Sequence, residues 1–375
     1  MRAGLLFLFF TGLFAESAFA DSDELFYQMR QDWSESTGST NISIFTFNDL
    51  NGNGIYDLGD RAFAGVATGL RRNGAPVYTA RTNINGFANY PASLSAAHAP
   101  LSEAGPYEFE VFTPPGWRIT TQNRAQSRNL VRVEGSNSGV GLAEMLHPVG
   151  VARYLFIRGT YDMPEAGDLV LYQESKVIAR ASLTPGEQFL MPVNGGHYSL
   201  ESAGTRRLVR VTTLPVDIGK INKAPLSEQE GRLIDFENMA PSGLQKAPNG
   251  YGGLGWFNLN IMTAFSTSRG FGYLNGATSG ANILYNSSGH AATISSGTPF
   301  DFISANLSVA WPKAEGEDVE FRFFRGDDLV LRDNIVLSAY GPVEYHPQIA
   351  GITRVEIATM HNWQLVIDDL RVSTE

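Results

Sequence analysis

The chain has no cysteine among its 375 residues. Disulfides, thiol nucleophiles and cysteine-bound metals are therefore excluded. Lysine is scarce too. Lys176, Lys220, Lys223, Lys246 and Lys313 are all there are, so the N-terminal part of the chain has none. The six histidines (His98, His147, His197, His290, His346, His361) show no metal spacing such as His-x-x-x-His. No Gly-x-Ser-x-Gly elbow occurs. Carboxylates are plentiful, so residue type alone leaves a glycosidase pair open. Long helical patterns are scarce, and the expectation is a protein that is not an enzyme.

Positive charge is in deficit. Lysine plus arginine number 28 against 38 acids, a formal net charge of −10. That balance disfavours nucleic acid and anionic membrane surfaces as partners. It suits divalent cations. Past the N-terminus no apolar run is long enough to cross a bilayer, so no membrane insertion is expected. Residues 5–14 form a short apolar run behind Arg2, and Ala18-Phe19-Ala20 follows as a small-x-small cleavage site. This is the pattern of a secretory signal peptide over 1–20, with cleavage near Ala20. The C-terminal residues 371–375 carry no sorting motif or hydrophobic tail. The mature protein is expected to be secreted, to the periplasm or beyond. Without disulfides, its stability must come from core size, metals or both.

Glycine is abundant, at 39 residues, and strand-like runs alternate with turn signals. The expected fold class is all-β: tandem β-sandwiches of prealbumin or immunoglobulin type, then a jelly roll. Residues 21–40 are a polar lead-in. The first sandwich spans 41–146. In it Tyr107, Phe109 and Val111 alternate with Glu108 and Glu110, the mark of a half-buried strand. A second small sandwich, without candidate chemistry, spans 147–225. The polar stretch 217–231 contains Pro225 and looks like a linker, and 226–231 is taken as the linker between the domains. The third domain spans 232–375.

The stretch Asp49-Leu-Asn51-Gly-Asn53-Gly54-Ile55-Tyr56-Asp57-Leu-Gly59-Asp60 carries the clearest chemistry. Oxygen side chains stand at loop positions 1, 3, 5, 9 and 12, with glycine at 6. That register wraps a short loop around one calcium ion, which takes six to eight hard oxygens. Asp49, Asn51, Asn53, Asp57 and Asp60 offer side-chain ligands, and Ile55 its carbonyl. A solvated acidic turn is the bland alternative, since Asn, Asp and Gly dominate turns, but it does not require the full register. The upstream run Asn41-Ile-Ser-Ile-Phe-Thr-Phe-Asn48 is β-branched and aromatic, so it reads as a strand rather than a helix. The ion is expected to staple the end of one strand to the start of the next.

A strand, this loop, Ala64-Gly65-Val66 and then Thr82-Asn-Ile-Asn85-Gly86-Phe87-Ala follow one another in order. The combination resembles the B-type repeat domains of serine-aspartate-repeat surface adhesins. The resemblance implies a prealbumin-like sandwich stiffened by calcium. Many such domains carry a Lys–Asn isopeptide bond. None can form here, because the first domain has no lysine.

The third domain opens with Leu233-Ile-Asp-Phe-Glu237 and closes with Val366-Ile-Asp368-Asp369-Leu-Arg-Val372. It resembles jelly-roll carbohydrate-binding modules. The resemblance implies paired terminal strands and a second calcium held by Glu237 and Asp368. On strand periodicity Asp235 and Glu237 share one face, and Val366, Asp368, Leu370 and Val372 share another. Rim carboxylates meeting solvent or arginine are the alternative. Aromatic rings stack on sugar faces, and Tyr251, Trp256, Tyr273, Tyr285, Trp311 and Trp363 are candidates. Most aromatics in a sandwich are core. Tyr251 and Trp256, in a glycine-rich segment, are expected to be the exposed pair.

These readings converge on a secreted, non-catalytic, calcium-stabilised adhesion or extracellular-matrix protein with a C-terminal binding domain. The partner would be a glycan, or a cell-surface or matrix component. The alternative is a lectin-like glycan binder or an accessory subunit of a polysaccharide-active system.

Overall fold

The computed structural model describes residues 40–94, 99–134, 139–222, 231–239, 245–266, 271–361 and 364–374. The signal peptide, the polar lead-in, most of the linker and Trp363 lie outside these residues. The protein is all-β, built as tandem β-sandwiches; the one α-helix among the described residues is Phe271–Gly276.

Two five-stranded sheets enclose the first core. Strand Thr40–Asn48 is central to one, paired with Phe87–Ala92, Arg61–Ala62 and, in parallel, Val149–Arg153. Strand Gly105–Phe112 is central to the other, paired with Ala67–Arg72 and Ala125–Arg132. Its alternation holds: Tyr107, Phe109 and Val111 are buried while their neighbours are less so. Ile44, Phe47, Leu70, Tyr90 and Phe109 meet between the sheets.

The second core lies between a four-stranded sheet, containing Gly167–Gln173 and Gly196–Ser202, and the strands Glu187–Pro192, Phe156–Tyr161 and Val216–Ile221. The last of these corrects the linker reading of 217–221. Ile218 and Ile221 are core residues, and the polar Asp217 is taken up by Arg158 at 2.6 Å. Strand Val216–Ile221 also pairs in parallel with Val343–Tyr345 of the third core. One sheet therefore runs through both cores instead of stopping at a flexible joint.

The third core is organised by the 18-residue strand Ala292–Val309. Its first half pairs with Gly255–Phe257 and Ile349–Thr359, and its second half with Val343–Tyr345 and Leu365–Thr374. Register shifts between Ser295 and Phe302 let it bend from one sheet to the other. Phe302, Phe321, Phe323 and Tyr345 fill the centre. The terminal strands pair, Ile234 opposite Leu370.

Two details differ from strand periodicity. The opening strand is only Arg232–Ile234, and Phe236 has φ of 63°, so Asp235 and Glu237 are not on one strand face. In the closing strand Asp369 has φ of 48°, a bulge that shifts the alternation. Leu365, Ile367, Leu370 and Val372 face the large core, while Val366 joins a small separate cluster with Tyr273 and Tyr285. Asp368 thus shares a face with Val366 but not with Leu370 or Val372.

Candidate metal loop and junction cleft

Asp49 follows strand Thr40–Asn48 directly and is only 1% exposed. One of its oxygens accepts the N–H groups of Gly52 and Asn53 at 2.7 and 3.2 Å; the other accepts that of Gly54 at 2.7 Å. Gly54 turns at φ of 77°, and a Cβ there would lie 3.1 Å from the Thr120 carbonyl oxygen. Both conditions favour glycine. Asp60 closes the loop by accepting from Leu50 at 3.0 Å and Asp57 at 3.1 Å. Arg61 and Ala62 then pair back onto Asn48 and Phe47, so the loop is clasped by a short ladder. Tyr56 anchors it to the core, with ring centroids 5.1 Å from both Phe45 and Phe47.

Burial raises the carboxyl pKa of Asp60, and the charges of Asp49 and Asp57 push it the same way. Opposing this rise are the two N–H bonds it accepts. Three acids thus share one small region. Asn51 and Asn53 point their amide nitrogens at Asp57, at 3.2 and 2.8 Å. Half a turn of each carboxamide exchanges that donor for an oxygen. Among the described residues no group of three or more His, Cys, Asp or Glu side chains is arranged to hold a metal ion. The donor set fits calcium only when the Asn oxygens and the Ile55 carbonyl are added. Ile55 itself is 37% exposed at the tip.

Glu237 and Asp368 grip opposite ends of one turn. Glu237 accepts the N–H groups of Ala281 and Asn282 at 2.9 and 2.6 Å. Asp368, fully buried, accepts from the Thr278 N–H at 2.7 Å, the Thr278 hydroxyl at 2.9 Å and the Ser279 N–H at 3.1 Å. Peptide donors satisfy these acids from the protein itself. A Cβ on Gly280 would sit 2.2 Å from a Glu237 carboxylate oxygen, so the close strap requires glycine.

The aromatic candidates among the described residues are buried in the third core or packed against it. Trp256 is 6% exposed, packs with Phe236 and Leu254, and donates its indole N–H to the Tyr251 carbonyl at 2.9 Å. Its expected exposure is corrected: the ring packs against Phe236 and Tyr251 instead of facing outward. Tyr251 is half-buried against the same core, with its hydroxyl on Asn238 at 2.7 Å. Tyr273 and Tyr285 are buried, and Trp311 is packed against them.

Sequence reasoning passed over two groups. Asp333 is buried with its carboxylate 3.0 Å from the Tyr345 hydroxyl, and burial, with Asp217 nearby, pushes its pKa up to about 6. A signal was available: Asp333 is in phase with the buried Ile335 and Leu337 on strand Asp328–Leu337. The second group is a set of arginines around a cleft of about 1260 Å³ where the three cores meet. Asp49 and Asp60 of the loop lie on its wall, as do Trp117, Asn194, Asn306 and Arg371. Nothing local in the sequence links those residues.

No family model matches the chain, and no curated protein matches it. Among solved structures it is similar to the K1 cleaved adhesin domain of Lys-gingipain from Porphyromonas gingivalis W83. The identity is 8% and the TM-score 0.25, over 39% of this chain and 99% of that one. It is also similar to the shaft pilin spaA from Lactobacillus rhamnosus GG, at 9% identity and a TM-score of 0.25, over 51% of this chain and 100% of that one. A third similarity is to the CBM22-1–GH10 modules of xylanase 10B from Clostridium thermocellum, at 10% identity and a TM-score of 0.21, over 36% and 28% of the two chains.

Proposed function

We propose that this is a secreted, non-catalytic adhesion or matrix protein whose first sandwich is stabilised by calcium. The loop carries the reading. Asp49, Asp57 and Asp60 crowd one region that is already folded by their own backbone contacts, with Asp60 held protonated more readily than usual. Calcium there would relieve the repulsion between the acids. Asn51, Asn53 and the Ile55 carbonyl would complete the oxygen shell. The ion would then close a loop whose two ends are paired strands, and so resist local opening.

Differential scanning calorimetry tests this. Calcium at about 100 times its Kd stabilises a single-site protein by about 2.7 kcal/mol through mass action. The melting temperature is expected to rise with calcium and fall with chelator, and Asp57→Ala is expected to remove most of that response. Identical melting curves in calcium and in chelator would refute the proposal.

A further inference from the structure

We propose that the cleft where the three cores meet binds an acidic oligosaccharide through Arg118, Arg210 and Arg371. This deepens the adhesion reading by naming a ligand class and a site, and it rests on that reading for its biological sense. Each core supplies one of the three arginines. Arg118 lies on Trp117–Ile119, Arg210 on Thr205–Val211 and Arg371 on Leu365–Thr374, and all three line the cleft and are exposed.

The balance of donors and acceptors in the wall points to an anion. The acids there are already engaged. Asp49 and Asp60 accept backbone N–H groups of the loop. Asp369 accepts from Thr278, Ser279 and Asn306 at 2.7 to 3.1 Å. Glu344 bonds Ser304. The three arginines, in contrast, donate no hydrogen bond to a described residue; the buried Glu344 feels the charges of Arg371 and Arg210, and one carboxylate leaves the three guanidinium groups in excess. Each guanidinium presents a fork of five N–H donors that matches a carboxylate. A fourth cation, Arg153, also lines the cleft. It bonds the Pro342 carbonyl and lies 5.7 Å over the Trp117 ring, and the nearby charge of Glu315 only partly offsets its burial. In a chain of net charge −10, such a gathering of positive donors is local and directional.

The rest of the wall favours a polyhydroxylated ligand over an acidic peptide. Asn194, Thr212 and Thr213 of the second core line it, beside Asn275, Asn306 and Thr278 of the third, whose donors are already engaged within the protein. Carboxamides and hydroxyls both donate and accept, as vicinal sugar hydroxyls require. The cleft is larger than the usual small-ligand site of about 300–1,000 Å³ and lies where cores meet, a common place for such sites. It can hold a few sugar units.

The test is titration calorimetry on the mature full chain. The probes are oligogalacturonate, oligomannuronate, hyaluronan fragments and sialyl-oligosaccharides. Each is paired with its neutral counterpart, and hexaglutamate is the peptide control. At least one acidic sugar is expected to bind, at least tenfold tighter than its neutral counterpart and more weakly as salt rises. Arg210→Ala and Arg371→Ala are each expected to weaken it by about tenfold or more, and the Lys substitutions by less. Both side chains are exposed, so unchanged melting curves verify folding. Absence of binding by every acidic sugar, binding indifferent to both arginines, or hexaglutamate binding as tightly as the best sugar would overturn the proposal. The calcium response of the melting curve is read separately, so failure of the loop and failure of the cleft are distinguishable.

Discussion

Arg61 donates through Nη1 to the carbonyl of Ala277 at 2.7 Å, across a separation of 216 residues. Arg61 is the residue immediately after the loop's last acid. Ala277 precedes Thr278, whose N–H and hydroxyl hold the buried Asp368. The end of the acidic loop and the strap over the third core's buried acid are therefore two hydrogen bonds apart. Asn275 adds to the same seam through the Ala64 and Ala339 carbonyls, both at 3.2 Å.

Removing that contact is expected to loosen the seam between the first and third cores. Arg61→Ala leaves the Ala277 carbonyl without its donor, at a cost of about 1 kcal/mol. Hydrogen exchange is expected to speed up at residues 277–282 as well as in the loop. Faster exchange in the loop alone would show that the two sites are uncoupled.

Pulling on the chain examines the staple directly. Arg61 and Ala62 hold only two rungs of ladder against Asn48 and Phe47, so an ion in the loop would carry load where opening begins. The unfolding force of the first sandwich is expected to fall on chelation and recover with calcium. The second core has no such loop and is expected not to respond. Equal softening of both would remove the mechanical role.

Asp333 makes the seam between the second and third cores sensitive to pH. Burial lifts its pKa from 3.8 to about 6, with Asp217 adding to the rise; bonds from Tyr345 and Asn334, and Lys220 nearby, act the other way. The native state thus binds more protons than the unfolded chain between 3.8 and about 6. The contribution is fully favourable below that window and is lost as pH rises through it. Asp333→Asn is expected to flatten the decline in melting temperature between pH 4 and pH 7. An unchanged slope in the variant would assign it to other groups.

The two faces of the third core predict opposite outcomes for the same chemical change. Phe302 is 1% exposed and packs edge-on to Phe323 at 5.5 Å. Phe302→Ala is expected to cost about 3–5 kcal/mol in denaturant unfolding. Phe257 is 68% exposed, and Phe257→Ala is expected to stay within about 0.5 kcal/mol of the parent. Similar losses at both positions would contradict the placement of this core.

The turn from Asp49 to Asp60 was legible from residue spacing because a loop of this kind is local. Its carboxylates meet donors inside the loop itself, as Asp49 meets the N–H of Gly54 and Asp60 that of Asp57. The alternation of Tyr107, Phe109 and Val111 was legible for the same reason, since a strand repeats every two residues whatever it packs against. Glycine-rich flanks around Trp256 misled, because glycine permits both an open turn and a close backbone cover. Which one forms depends on Phe236 and Ile234, far from it in space until the chain folds.

The sequence by itself determined the all-β class, the alternation of strands such as Gly105–Phe112 and the turn of the Asp49–Asp60 loop, all properties of short stretches governed by backbone geometry. The tertiary structure alone decided the rest. It joined the second and third cores in one sheet through Val216 and Glu344. It buried Asp333 beside Asp217, and it brought Arg118, Arg210 and Arg371 to one cleft from three cores. Pairings over such separations depend on which sheet edges and faces meet, and local propensity carries no record of that choice.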